Sequence, residues 1–113
     1  MADIYDISVI QGENIYLRVV ALDVNQNPID LTNYTVSGYA KYRYTDTGIV
    51  LNLRPAIHSS YISGYIDINV PETGTAPLPV MQGVYDIEIH NPFTSYTTKV
   101  IKGLFNVEPE ATR

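Results

Sequence analysis

The residues of this 113-residue chain best suited to catalysis are a histidine and the two serines that follow it. His58 precedes Ser59 and Ser60, and a serine–histidine pair is central to one class of hydrolase. Neighbouring residues on an extended chain point to opposite faces, so His58 and Ser59 would not meet, and Ser60 would need a bend to reach the imidazole. The chain also lacks cysteine and a Gly-x-Ser-x-Gly motif. We therefore expect a protein that is not an enzyme and has no catalytic residue.

Two pairs of oxygen-bearing side chains have the spacing that places both members on one face of a strand. These pairs are Asp86 with Glu88, and Asp67 with Asn69. If the two strands were neighbours, such ligands would suit a hard cation. No loop, however, has the ligand density of a D-x-[DN]-x-[DN]-G calcium site. A solvated acidic face is the interpretation that the sequence favours, and we expect neither a metal nor another cofactor.

Tyrosine is the unusual feature of the composition, with ten tyrosines against two phenylalanines and no tryptophan. Tyrosine suits half-exposed strands and is also enriched in binding interfaces. Tyr42 and Tyr85 are in phase with apolar neighbours and are predicted to be buried. A hydroxyl-bearing aromatic surface is predicted from the tyrosines that are out of phase or in loops, namely Tyr16, Tyr39, Tyr61, Tyr65 and Tyr96. Such a surface suits a protein or a sugar ring, and the absence of tryptophan favours a protein.

The elements that position these residues are strands, because the dominant hydrophobic period is two. Apolar and polar side chains alternate most clearly in ENIYLRVVALD (13–23), TVSGYAKYRY (35–44), YIDINV (65–70) and GVYDIEIH (83–90). Turns rich in Gly, Pro and Asn separate about seven such segments, and no window has a helical period. The sequence predicts one all-β domain over residues 1–113, an immunoglobulin-like antiparallel β-sandwich of about seven strands, with a small barrel as the alternative.

Three connecting or terminal segments have expected roles in this sandwich. In DVNQNPIDLTNYT (23–35), Pro28 fixes φ for a tight turn, after which Ile29 and Leu31 are expected to plug the core at one end. The segment ETGTAPLPVMQG (72–83) is expected to cross between the two sheets. IYDISVI (4–10) and KGLFNV (102–107) contain no proline, so each is predicted to offer an open edge that could add to a neighbour's sheet.

Charge and hydropathy argue against two classes of partner. Seven Lys and Arg against twelve Asp and Glu give a net charge of −5, and the basic residues are scattered, whereas nucleic-acid binding needs clustered positive charge. The opening MADIYD has no basic region of the signal-peptide type, and no apolar run is long enough to span a membrane. We expect a soluble protein made in the cytoplasm, with no nucleic-acid or membrane partner.

Three ordered segments carry a resemblance to a known family: residues 11–43, which open with QGENIYLRVV, residues 64–89, which end with GVYDIEI, and KGLFNVEPEATR (102–113). They resemble small virion proteins of tailed phages and the immunoglobulin-like N-terminal domain of baseplate proteins that attach receptor-binding modules. In that family Gln-Gly leads into a strand, a Pro-Ile-Asp-Leu-Thr loop follows, and the last strand ends in Val-x-Pro-Glu-x-Thr-Arg. Asn27 and Asn33 stand where the family has glycine, and asparagine can adopt the positive φ of such turns.

The resemblance implies a structural component of a tailed bacteriophage particle, in the tail, baseplate, neck or head decoration, that acts by protein–protein docking. Members with a receptor-binding module continue far beyond this last strand, so we expect a stand-alone virion protein, assembled in the host cytoplasm in several copies among other virion proteins. The predicted contact residues are Tyr39, Tyr65, Tyr96, Glu108, Pro109, Glu110 and Arg113. The alternative is a carbohydrate-binding module for host surface glycans, which would use the same tyrosines with Asp86 and Glu88.

Overall fold

The computed structural model describes residues 3–109, and within that range nine strands make up almost all of the regular structure. A 3₁₀ turn (Tyr61–Ser63) and a short helix, α1 (Glu72–Thr75), complete it. The strands are β1 (Asp3–Ile4), β2 (Ile7–Ile10), β3 (Ile15–Val20), β4 (Thr35–Lys41), β5 (Leu51–Asn52), β6 (Ala56–Ile57), β7 (Tyr65–Val70), β8 (Met81–Asn91) and β9 (Tyr96–Glu108). No helix in this range is long and apolar enough to cross a membrane.

The strands form two sheets that pack face to face. The larger sheet has six strands in the order β1-β9-β8-β4-β5, with β2 following β1 along the same side of β9. The smaller sheet has three strands in the order β3-β7-β6. The predicted all-β sandwich is confirmed, and the described strands do not close into a barrel. Pairing is antiparallel except that β1 and β2 run parallel to β9, so the larger sheet is mixed.

The core lies between the sheets, where alternate side chains of each strand point inward. Its fully buried members include Leu53, Ile66, Ile68, Ile87, Ile89, Phe105 and Val107. Tyr85 is 1% exposed and lies among them, as predicted. Tyr42 is 52% exposed, so the prediction that it is buried is wrong. The reason is that β4 ends at Lys41 and the chain then turns away, so the period of two no longer determines which way residue 42 points.

The connection from β3 to β4 plugs the core, as the sequence predicted. Leu31 is fully buried, and Ile29 packs against the core cluster. Pro28 forms an isolated antiparallel bridge with Leu22, which closes the preceding turn and directs the chain inward.

The turn at residues 23–27 is held by one carboxylate. Asp23 Oδ1 accepts hydrogen bonds from the backbone N–H groups of Asn25 at 2.9 Å and Asn27 at 3.0 Å. The left-handed residue of this turn is Gln26, with φ of 65°, so the expectation for Asn27 is wrong, whereas Asn33 has φ of 68° as expected. The Asp23 bonds explain the shift, because they fix the N–H of residue 27 and leave the reversal to residue 26.

The segment at residues 72–83 crosses from β7 in the smaller sheet to β8 in the larger one, as predicted. Thr75 is a buried polar residue at its centre. Its hydroxyl donates to the carbonyl of Glu13 at 2.6 Å and accepts from the N–H of Gly12 at 3.1 Å. Gln11 Nε2 donates to the carbonyl of Leu78 at 2.6 Å. The Gln-Gly pair therefore ties the turn between β2 and β3 to the crossing segment.

The predicted open edge at KGLFNV is wrong. These residues belong to β9, which pairs with β8 on one side and with β1 and β2 on the other. IYDISVI does form an edge of the larger sheet, but it is divided into β1 and β2. That division and the additional strand β6 account for nine strands in the described residues where the sequence predicted about seven.

Candidate docking surface on the larger sheet

The outer face of the larger sheet carries the most varied set of polar side chains among the described residues. Residues of β4, β8 and β9 that point away from the core form cross-strand rows, because side chains alternate along each strand. The rows are Ser37 with Glu88 and Lys99, Tyr39 with Asp86 and Lys102, and Lys41 with Val84 and Leu104. We call this surface, together with Tyr44 from the following loop, the polar face.

A β-bulge in β9 brings two lysines to the polar face. The register pairs Ile87 with Ile101 but Glu88 with Lys99, so Val100 is the extra residue on β9. Lys99 and Lys102 are three residues apart and would lie on opposite faces of a regular strand. The extra residue restores them to the same face. Period-two reasoning on the sequence could not find this pair, because the bulge breaks the period between them.

Lys99 bridges the two carboxylates of the acidic pair that the sequence singled out. Its Nζ lies 2.6 Å from Glu88 Oε2 and 3.1 Å from Asp86 Oδ2. The pKa of Lys99 is raised above its ordinary value, mainly because of the hydrogen bond to Glu88. The ammonium therefore stays charged. The predicted acidic outer face is thus an ion-paired cluster at this position.

The two predicted oxygen-ligand pairs lie on opposite outer faces of the sandwich, so the condition for a shared cation site is not met. Asp67 is on β7 of the smaller sheet, where its carboxylate binds the guanidinium of Arg18 at 2.6 Å. The pKa of Asp67 lies below its ordinary value, mainly because of this hydrogen bond. Among residues 3–109, no group of three or more His, Cys, Asp or Glu side chains is arranged to hold a metal ion.

Tyr44 reaches back over the larger sheet from the loop after β4. Its hydroxyl donates to the carbonyls of Tyr85 at 3.2 Å and Gly103 at 3.4 Å. Desolvation is the main cause that raises its pKa, with the charge of Asp86 next. Tyr44 and Tyr39 both line a groove of about 540 Å³ on the polar face. The sequence analysis did not single out Tyr44, because only the course of the loop places it here.

The predicted contact residues do not share one surface. Tyr39 lies on the polar face, whereas Tyr65 lies on the outer face of the smaller sheet. Tyr96 begins β9 at the hairpin end of the sandwich, and Glu108 and Pro109 lie at the other end of that strand. Glu110 and Arg113 lie outside the described residues. Which of these residues contacts a partner stays a prediction.

Tyr65 is already engaged by its neighbours on the smaller sheet. The guanidinium carbon of Arg18 lies 4.8 Å from the centre of the Tyr65 ring, a cation–π arrangement. The His58 ring meets Tyr65 edge to face at 5.9 Å. The tyrosines expected on the surface are partly or fully accessible, with Tyr16 the most exposed at 67%.

The bend at residues 58–60 does bring Ser60 back to His58, but through its backbone. The N–H of Ser60 donates to His58 Nδ1 at 3.0 Å, so the ring nitrogen nearest the serines is occupied by an amide. The hydroxyl of Ser60 has no contact with the imidazole among the hydrogen bonds of the described residues. This geometry lacks the hydroxyl-to-imidazole bond that a serine nucleophile requires.

Comparison with known proteins identifies the fold. No family model matches the chain, and no curated protein matches it. The immunoglobulin domains 1–4 of Sidekick-1 superpose with a TM-score of 0.51 at 14% identity, over 100% of this chain and 25% of that one. The NK cell receptor NKp44, described as a triggering partner in natural cytotoxicity, superposes with a TM-score of 0.53 at 11% identity, over 96% of this chain and 99% of that one.

These likenesses establish an immunoglobulin-like sandwich, which confirms the fold predicted from the sequence. At such low identities they establish the fold alone, since this architecture hosts many functions. The chain spans 25% of the length of the Sidekick-1 chain that it matches. The resemblance to phage virion proteins is not tested by these structures and stays a prediction.

Proposed function

We propose that this immunoglobulin-like domain is a non-enzymatic structural component of a tailed-phage particle, and that it docks a neighbouring virion protein through the polar face. The observation that carries the proposal is the make-up of the groove of about 540 Å³, where two tyrosines lie beside charged side chains that are mostly paired with one another. The assignment to a phage particle rests on the ordered sequence resemblance alone.

Tyrosine is a suitable anchor for such a contact. It contributes a large contact area with only two side-chain torsions to order, and it is enriched among the residues that dominate binding energy. Tyr39 lies at the centre of the polar face, between Asn52 of β5 and Asp86 of β8. A partner that covers Tyr39 would therefore also cover strands on both sides of it.

The charges of the polar face favour a protein partner. Lys99 bridges Glu88 and Asp86, which leaves one net negative charge in this cluster for a cationic side chain of a partner to balance. Lys102 lies in the row of Tyr39 and Asp86, at the edge of the groove, where an acidic residue of a partner could pair with it. Particle symmetry would supply this contact several times over.

The direct test is incorporation into particles. Tyr39→Ala should lower the copy number in purified particles, because loss of a central aromatic anchor costs about 2 kcal/mol, or about thirtyfold in affinity. The matched control is Tyr61→Ala, which removes a tyrosine that is 50% exposed in the 3₁₀ turn, outside the polar face. Equal occupancy by both variants would refute docking through the polar face. The pair Glu110→Lys and Arg113→Glu tests separately whether the tail contributes.

A carbohydrate-binding module is the second candidate, because the groove also places Tyr39 beside the carboxylates of Asp86 and Glu88. A sugar could stack on the ring and donate hydroxyls to the acids. Both carboxylates are bound to Lys99, which lowers their capacity to accept further hydrogen bonds and favours the protein partner. Saturable binding of the isolated domain on a glycan array, lost in Tyr39→Ala, would support this second candidate.

A further inference from the structure

Four edges bound the two sheets, and one differs from the rest. The strands β5 and β6 are two residues long, and β1 and β2 are separated by a break at residues 5 and 6. Short or interrupted edge strands are a common protection against unwanted pairing. By contrast, β3 is a six-residue strand without proline or bulge, and among residues 3–109 it pairs only with β7.

The backbone groups on the free side of β3 can be identified from two hydrogen bonds. The N–H of Ala21 donates to the carbonyl of Gly64. These two residues directly follow the last registered pair of β3 and β7, Val20 with Tyr65, so they form a hydrogen-bonded pair. His58 N–H donates to the carbonyl of Tyr65, so Tyr65 directs its carbonyl toward β6 rather than β3. Because antiparallel pairs alternate between bonded and non-bonded, Tyr16, Arg18 and Val20 direct their N–H and C=O groups away from β7.

A groove of about 160 Å³ runs beside this free edge, between β2 and β3. Ile7 and Val9 from β2 and Ile15 and Leu17 from β3 lie along it, together with the polar residues Tyr5, Asp6, Ser8 and Tyr16. Ile7, Val9 and Ile15 are themselves buried in the core. Leu17 is on the core side of β3 but remains only half buried, unlike Ile15 and Val19 beside it. The partly accessible Leu17 therefore lies next to a strand edge that is unpaired among residues 3–109.

The charges beside the groove indicate what could occupy it. Asp6 is the only charged residue among the described residues that line it, and Glu13 lies exposed in the turn at its end. Arg18 is the cation of β3, and it is bound to Asp67. A second copy of this chain, with a net charge of −5 and the same acidic groups, would be repelled. A cationic segment would be attracted.

We propose that the free edge of β3 and the adjacent groove bind an extended segment of another protein, which alternates apolar and polar side chains and has Lys or Arg at its ends. The segment adds to the smaller sheet as a fourth strand, with main-chain hydrogen bonds to Tyr16, Arg18 and Val20. Its apolar side chains pack in the groove against Leu17. This site shares no residue with the groove of the polar face, so it does not depend on the function proposed above.

The probe is a capped heptapeptide that alternates valine and threonine between two lysines, titrated into ¹⁵N-labelled protein. Amide shifts are expected at Tyr16, Arg18 and Val20, which exchange rapidly with solvent before the peptide is added and slowly afterwards. A peptide with glutamate in place of both lysines should bind about tenfold more weakly at low salt. A peptide methylated at its backbone nitrogens on one edge should bind at least about tenfold more weakly, because it loses its donors.

Two variants at position 16 distinguish the contribution of the backbone N–H to peptide binding from that of the side chain. Tyr16→Pro removes an edge N–H that lies outside the β3–β7 ladder and should weaken peptide binding about tenfold, whereas Tyr16→Thr keeps that N–H and should bind within about threefold of the natural protein. If Tyr16→Pro fails to fold, the methylated peptide gives the same comparison on the natural protein. The proposal is overturned if β3 amides are already protected without peptide, if shifts map to the polar face, if neither peptide binds, or if sedimentation shows dimers joined through β3.

Discussion

The opening strands β1 and β2 and the strand β3 flank the same side of the sandwich, but they differ in how their edges are held. The opening strands pair with residues 101–102 and 105–108 of β9 and are held where they break, whereas β3 presents a regular edge that is unpaired among residues 3–109. An edge strand of this sandwich is thus either fastened by hydrogen bonds from distant residues or left open. Specific side chains fasten the first edge, and none of that kind fastens the second among residues 3–109.

Three features fasten the break between β1 and β2. The buried hydroxyl of Tyr85 donates to the carbonyl of Tyr5, and Asp6 Oδ1 accepts the N–H of Leu104 at 3.0 Å. The third is the absence of a side chain at Gly103, whose place is taken by the backbone of Tyr5 and the carboxylate of Asp6. The carbonyl of Tyr5 and the N–H of Leu104 at the break therefore both have hydrogen-bond partners.

Gly103→Ala should have the largest effect on the fastened edge. A Cβ at this position would lie well inside contact distance of the Tyr5 carbonyl, and backbone cannot move aside as a flexible side chain can. We expect a loss of about 3 kcal/mol in the free energy of unfolding, measured by urea denaturation. Gly48→Ala is the control, because nothing lies within 4 Å of its Cβ position, and it should be nearly neutral. Equal effects would contradict the close approach.

Tyr85→Phe should have the next largest effect. The substitution keeps the ring in the core but leaves the carbonyl of Tyr5 without its donor, at a cost of about 1.5 kcal/mol. Thermal unfolding would register this as a lower midpoint. Amide exchange should also accelerate in β1 and β2 more than in β3, because the lost bond holds only the opening strands. Uniform acceleration across the sandwich would argue against a local anchor.

The same hydroxyl predicts a loss of stability in alkali. Burial raises the pKa of Tyr85 above its ordinary value of 10.0, with nearby Tyr5 and Asp6 as further causes. The unfolded chain therefore releases the phenolic proton at lower pH than the folded one, so stability falls as pH rises above about 10, by up to about 1.4 kcal/mol per pH unit for one proton. Urea denaturation at pH 9 to 11 should show a steeper decline for the natural protein than for Tyr85→Phe. Parallel declines would contradict the assignment.

The regular strands could be predicted from sequence, because local alternation determines them. The segments YIDINV and GVYDIEIH became β7 and the middle of β8, with the predicted faces inward. The break near Tyr5 could not be predicted, since it depends on a hydroxyl 80 residues away in sequence. Only some residues of the polar face could be predicted from the sequence. Tyr39, Asp86 and Glu88 follow from alternation, whereas Lys99, Lys102 and Tyr44 depend on a bulge and on the course of a loop.

Asp6→Ala should have a smaller effect than Tyr85→Phe. It removes the acceptor for Leu104 N–H at an exposed position, where water can replace the carboxylate in part. We expect a loss of about 1 kcal/mol, read from the urea midpoint. Asp3→Ala is the matched control, since it removes an exposed acidic side chain from the same edge without a hydrogen bond of this kind. A change no larger than that of the control would show that Asp6 is not an anchor.

Arg18→Ala should have the smallest effect on stability. It instead tests whether Arg18 prevents β3 from pairing with β3 of a second copy. The Arg18–Asp67 pair is solvent-exposed, and pairs of this kind contribute little to folding. Arg18 is nevertheless a charge at the centre of the open edge, and charges on edge strands discourage pairing between copies. Sedimentation velocity at rising concentration should therefore detect more self-association in Arg18→Ala than in the natural protein. Lys102→Ala, which removes a cation from the larger sheet, is the control and should stay unchanged. Self-association of Arg18→Ala no greater than that of Lys102→Ala would contradict a protective role for Arg18.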